Sequence, residues 1–131
     1  MNVGKRLVKT PKVYFTDTGT LFETFVCSEL LKSFVHRGQQ PPLSFWRTSH
    51  GVEVDFVIDS GDSLLPLEVK ATATPRHPMA DGIRAFRGDY RTASAGLLIH
   101  LGNGRVPLGE GTLAIPCADI VRGGAVRGGT G

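Results

Sequence analysis

Asp55, Glu68 and Lys70 are the residues of this chain whose types and spacing point to chemistry. They sit in two short strings, Glu53-Val-Asp55 and Glu68-Val-Lys70. Each string reads as part of a β-strand, and residues i and i+2 of a strand point to the same face. If the two strands pair as a hairpin, Asp55, Glu68 and Lys70 converge at one end of a sheet. Carboxylate oxygens are hard donors suited to Mg²⁺ or Mn²⁺, and an ammonium beside them can orient a water and stabilise developing charge. That is the chemistry of phosphodiester hydrolysis. The bare pattern D-x₁₂-E-x-K is weak by itself, so the elements that carry it have to supply the specificity.

Three stretches read as an antiparallel meander: Leu43 to Thr48, Val52 to Asp59 and Leu64 to Thr72, separated by turns at 49–51 and 60–63. In the second, Val52, Val54, Phe56 and Ile58 alternate with Glu53, Asp55, Val57 and Asp59, which predicts one apolar and one mixed face. The mixed face also takes in Val57, Leu64 and Pro66. A solvated sheet surface would not normally hold three such residues, so this face is expected to be partly covered.

Upstream, Lys12 to Thr16 reads as a short strand and Thr20 to His36 as a long helix. Thr20-x-x-Glu23 fits a capping box. Helical projection also sets Glu23 on the side of Cys27, Leu30 and Phe34, where a carboxylate needs a cation, hydrogen bonds or a metal. Both roles for Glu23 stay open.

Downstream, a second helix is expected from Met79 to Tyr90, with Met79, Ile83, Phe86 and Tyr90 as its core stripe. Arg84, Arg87 and Arg91 form a basic ridge on it, with Arg76 just ahead. Arginines so spaced suit a phosphate backbone, although the same pattern describes an ordinary solvated helix face. Gly96 to Leu101 reads as a strand covered on both faces. Leu113 to Ile120 reads as a last strand, placed at an edge by Pro116. The order α-β-β-β-α-β defines an α/β fold, a mixed central sheet flanked by helices. Residues 1–12 read as a basic N-terminal segment, 13–122 as the domain, and 123–131 as a flexible glycine-rich tail.

At 131 residues the chain suits one domain, and 40% hydrophobic residues are enough for a core. No apolar run approaches the length of a membrane span, and no secretory leader is evident, so a cytoplasmic location without membrane contact is expected. The net charge of +3 is compatible with nucleic acid without demanding it. Cys27 and Cys117 lack metal-ligand spacing and read as small buried hydrophobes. Trp46 is expected to be packed and Arg47 to pair with Glu53. His50 and His100 show no ligand spacing.

An acid-bearing helix, a strand ending in Asp and a strand carrying Glu-x-Lys together resemble the PD-(D/E)XK nuclease superfamily, the restriction-endonuclease-like fold. More closely, Tyr14-Phe-Thr-Asp-Thr-Gly19, Gly19-Thr-Leu-Phe-Glu23, Phe45-Trp-Arg47, Gly51-Val-Glu-Val-Asp55 and Leu67-Glu-Val-Lys70 resemble domain of unknown function 4143. That domain forms the C-terminal part of many prokaryotic AAA-type ATPases. The resemblance implies a restriction-endonuclease-like core with Glu23, Asp55, Glu68 and Lys70 at active-site positions. It implies a metal held by Asp55, Glu68 and Glu23, DNA as partner, and association with an ATPase module or a second copy. The alternative is a non-catalytic DNA-binding or protein-interaction module. No G-x-x-x-x-G-K-[ST] occurs, so no ATP site is expected in this chain.

Overall fold

The computed structural model describes residues 5–8, 18–36, 38 and 43–121. The expected strand at 12–16 and the glycine-rich tail lie outside these residues. Seven strands form one mixed sheet: β1 (Lys5–Val8), β2 (Leu43–Thr48), β3 (Glu53–Asp59), β4 (Leu64–Val69), β5 (Gly96–His100), β6 (Val106–Pro107) and β7 (Thr112–Pro116). Their spatial order is β1-β2-β3-β4-β5-β7-β6. Neighbours from β1 to β4 are antiparallel, β4 to β5 and β5 to β7 are parallel, and β6 returns antiparallel to β7. The helices are α1 (Thr18–His36), α2 (Asp81–Asp89) and α3 (Cys117–Val121), with a 3₁₀ turn at His77–Ala80 before α2.

The sheet is sandwiched between helices. On one side Phe22, Val26 and Leu30, spaced four apart along α1, pack with Ile120 of α3 onto Leu43, Phe56, Ile58, Leu67, Val69, Ile99 and Ile115. That spacing stacks side chains on one helix face. On the other side Phe86 of α2 packs with Trp46, Val54 and Val57. Ala80 packs there with Leu98, Leu108 and Ala114. Part of the mixed face expected to be covered, at Val57 and Leu64, is covered by α2. Cys27 and Cys117 are free thiols, half-buried against the α1-side core, and burial raises both thiol pKa values, with Glu23 and Glu29 respectively adding to the rise.

Several sequence expectations need correction. Helix α1 begins at Thr18, so Thr20 lies inside its first turn and is not the N-cap that a capping box requires. Lys5–Val8, read as part of a basic arm, is an edge strand paired with β2, so the sheet begins well before residue 13. The second helix is shorter than expected, because Pro78 fits the tight 3₁₀ turn that precedes it. The last strand stops at Pro116, and residues 117–121 are helical. Strand β7 is flanked on both sides rather than lying at the edge. Its outer neighbour β6 reaches only Leu113 and Ala114, so Pro116 meets no partner on that side, where its missing N–H would matter.

The alternation expected of β3 is broken. Trp46 pairs with Val54 and Ser44 with Val57, with a register shift between them. Two residues of β3, Asp55 and Phe56, therefore oppose the single Phe45 of β2. Such a bulge re-aims the side chains that follow it. Val54 and Val57 face α2, whereas Phe56 and Ile58 face α1. Asp55, next to Val54, is turned toward the α1 side, the side that carries Glu23.

Candidate functional site

The site lies where β3 and β4 part. Their backbone register runs from Asp59↔Leu64 to Phe56↔Leu67, and one step further would set Asp55 opposite Glu68. There side chains replace the ladder. The Asp55 backbone N–H donates to Glu68 Oε1 at 3.3 Å, and the Val69 N–H donates to Asp55 Oδ2 at 2.8 Å. Each carboxylate is thus held by the opposite strand's backbone. Beyond this point the chain leaves β3 for β5: Glu68 and Val69 align with Leu98 and Ile99, and the Lys70 N–H donates to the Ile99 carbonyl at 2.9 Å. A sheet that forks in this way opens a notch lined by whatever side chains stand at the fork.

Those side chains are the ones expected from the sequence. Glu68 is buried, and its Oε2 lies 3.4 Å from Lys70 Nζ; the Lys70 side chain is 41% exposed. The ammonium therefore bridges the buried acid and the open side of the notch. Glu23, half-buried on α1, hydrogen-bonds the Asp55 carboxyl and acts electrostatically on both Asp55 and Glu68. Helix and fork together gather Glu23, Asp55, Glu68 and Lys70.

Burial and mutual repulsion set the electrostatics. Burial, then the charges of Glu68 and Glu23, push Asp55 up to about 9, against the pull of the Val69 N–H. Burial pushes Glu68 up to about 7, with Lys70 and the Asp55 N–H opposing. Glu68 has an ammonium partner and Asp55 does not, which explains why Asp55 rises further. Three acids against one lysine leave the cluster short of positive charge. A proton shared by the pair supplies it near neutral pH, and a bound cation would supply it instead.

Among the described residues, no group of three His, Cys, Asp or Glu side chains is arranged to cage a metal ion. Mg²⁺, however, keeps much of its water shell and is commonly held by one or two carboxylates plus substrate oxygens. Two adjacent, mutually repelling carboxylates fit that requirement. Asp55 and Glu68 are the residues that would hold such an ion.

The basic ridge expected on α2 is engaged internally at two positions. Arg84 donates to the carbonyls of Leu108 at 3.1 Å and His77 at 2.6 Å and pairs with Asp81. Arg87 Nε donates to the Ser94 carbonyl at 3.0 Å. Arg76 and Arg91 are exposed, and Arg91, expected on the ridge, lies past the end of α2 at Asp89. Arg47 stands opposite Glu53 across β2 and β3, with its guanidinium over the Phe45 ring at 5.5 Å from the centroid. His100 is buried and structural: its Nδ1 accepts from the Gly102 N–H at 2.9 Å, which leaves Nε2–H to donate to the Gly104 carbonyl at 3.0 Å. Sequence reasoning missed the Val69 N–H, since a backbone donor leaves no mark in residue types. It missed the bulge as well, although Val57 on the supposed acid face was a visible sign.

Fold and site together define a mixed α/β domain with a buried carboxylate cluster and one lysine at a fork in its sheet. No helix among the described residues is long and apolar enough to cross a membrane. The family described as Domain of unknown function (DUF4143) matches residues 18–120, and the chain belongs to it. It is similar to two mycobacterial proteins, the uncharacterized protein Rv2008c of Mycobacterium tuberculosis and the uncharacterized protein Mb2031c of Mycobacterium bovis. Each is 27% identical over 146 residues, covering 95% of this chain and 32% of the relative. The chain thus spans about a third of the length of these curated relatives.

Proposed function

We propose that this chain is a restriction-endonuclease-like domain of the PD-(D/E)XK type that binds DNA and hydrolyses its phosphodiester bonds with Mg²⁺ or Mn²⁺. The observation that supports it is the meeting of Glu23, Asp55, Glu68 and Lys70 at the β3–β4 fork. Asp55 and Glu68, with Glu23 beside them, would hold the cation. When bound, the ion supplies charge to the scissile phosphate and acidity to a coordinated water. Lys70 would orient an attacking water and steady the charge that builds on the phosphate oxygens. Glu23, hydrogen-bonded to Asp55, fixes that carboxyl.

A second reading is a DNA-binding or protein-interaction module without catalysis, serving an ATPase-bearing protein or a second copy of the chain. The greater length of the mycobacterial relatives favours it. Incubating the domain with linear, single-stranded and branched DNA, with and without Mg²⁺ or Mn²⁺, separates the two. The nuclease reading expects metal-dependent cleavage that falls at least about 100-fold in a Glu68→Ala, Lys70→Ala double variant. Metal-independent binding without cleavage supports the module instead.

A further inference from the structure

The fork explains how the acids are placed but leaves open what holds the flanking strand of a polyanion. With Arg84 and Arg87 donating to backbone carbonyls, the α2 ridge has few guanidinium donors to offer. The other face of the sheet provides a better-placed one. Trp46 faces α2, so Arg47, next along β2, projects to the α1 side, the side of Asp55. Phe45, two residues before Arg47, is the residue that the Asp55–Phe56 bulge opposes. The Arg47 guanidinium folds back over the Phe45 ring, which carries it along β2 toward the level of Asp55 rather than away from it. Arg47 itself is exposed. Stacking on a ring leaves the in-plane N–H donors of a guanidinium available, and a planar fork of donors matches phosphate oxygens.

Across the sheet at this level Arg47 stands opposite Glu53 by register. Glu53 flanks Arg47 on the side of the acids and limits how close an anion comes from there.

We infer that Arg47, steadied on Phe45, is the anchor for a non-scissile phosphate of the DNA strand bound in the fork. The inference rests on the phosphodiester reading above and adds to it the side from which the backbone enters: over β2, not over α2. It makes Arg47 a substrate-binding residue rather than a member of the metal site.

Fluorescence anisotropy of a labelled duplex and a labelled single strand, titrated with protein at several salt concentrations in EDTA, tests it. Arg47→Ala is expected to weaken binding about 10- to 100-fold, the loss of one charge-assisted contact. The slope of log affinity against log salt should fall by about 1. Arg47→Lys should restore the slope but not the full affinity, because lysine lacks the stacked fork. Arg91→Ala, just past the end of α2, should bind like the unmodified chain. Thermal melting of each variant verifies that an exposed side chain was replaced without unfolding. Affinity and salt slope unchanged in Arg47→Ala, or a larger loss in Arg91→Ala, overturn the inference while leaving the nuclease reading standing. Failure of the unmodified chain to bind either DNA overturns both.

Discussion

The two faces of the sheet treat their polar groups in opposite ways. On the α2 side, Arg84 and Arg87 satisfy the carbonyls of His77, Ser94 and Leu108, and Asp81 balances Arg84. Even the local glycines serve this packing. A Cβ on Gly111 would collide with the Arg87 guanidinium, and one on Gly82 would fall 2.2 Å from the Glu53 carbonyl oxygen. On the α1 side, Asp55 is buried against Glu23, meets Glu68 at the fork and has no cation of its own. One face closes the molecule, and the other stores unrelieved charge. Natural folds concentrate such local conflict at functional sites, and perturbed carboxylates in a notch are a physical marker of one.

The sharpest way to break the contrast is to damage the closed face and see whether the fork survives. Phe86 is fully buried and touches Trp46 edge-on, with ring centroids 5.3 Å apart, and stacks on Tyr90 at 4.5 Å. Phe86→Ala removes the centre of that cluster and is expected to cost about 3–5 kcal/mol of stability. Denaturant unfolding reads it directly. Loss of less than about 1 kcal/mol would mean that α2 contributes little to holding the sheet, and the comparison between the faces would fail.

The charged face predicts the opposite sign. The Asp55 carboxyl sits far above its ordinary value in the folded chain, so the folded state keeps a proton that the unfolded state has released. Stability from this group is full below about pH 4, near the unfolded carboxylate value, and drains away as pH rises toward the folded one. The slope is up to about 1.4 kcal/mol per pH unit per proton. Asp55→Asn, which carries no charge at any of these pH values, should flatten that slope. Melts in EDTA should show the variant equal to the parent near pH 4 and more stable at pH 8. Parallel curves at all pH values would mean that the acids are not in conflict.

How much of this was legible in the sequence depends on what each residue's neighbours had to do. Asp55, Glu68 and Lys70 could be brought together because strand periodicity and a short turn leave few registers for a hairpin. Glu23 could be added because a carboxylate on an apolar helix side has to be satisfied by something. The bulge was not legible: Val54, Phe56 and Ile58 continue an unbroken alternation, and only the pairing with β2 shows that Val54 and Phe56 face opposite ways. Strands β1 and β6 were missed for a related reason. Four residues with two charges, and two residues ending in proline, carry almost no pattern, and the neighbouring strands give them their conformation. The arginines of α2 show the limit most clearly. Their spacing fits a phosphate-binding ridge and a set of carbonyl staples equally well, and only the packing of the 92–96 and 108–111 segments distinguishes them.

That ambiguity gives the smallest and most specific of the expected effects. If Arg87 is a staple, then Arg87→Ala strands the Ser94 carbonyl, whose donor from Nε lies at 3.0 Å. The same change opens space beside Gly111. Losing one charged donor to a partly buried carbonyl is expected to cost about 1–2 kcal/mol. DNA affinity and its salt dependence should not move. If Arg87 is instead a phosphate ligand, stability should change little and the salt slope should fall by about 1. Measuring denaturant midpoint and DNA binding on the same variant therefore assigns the residue to one role. A result in the first pattern for Arg87, beside the second pattern for Arg47, would fix the division between the two faces of the sheet.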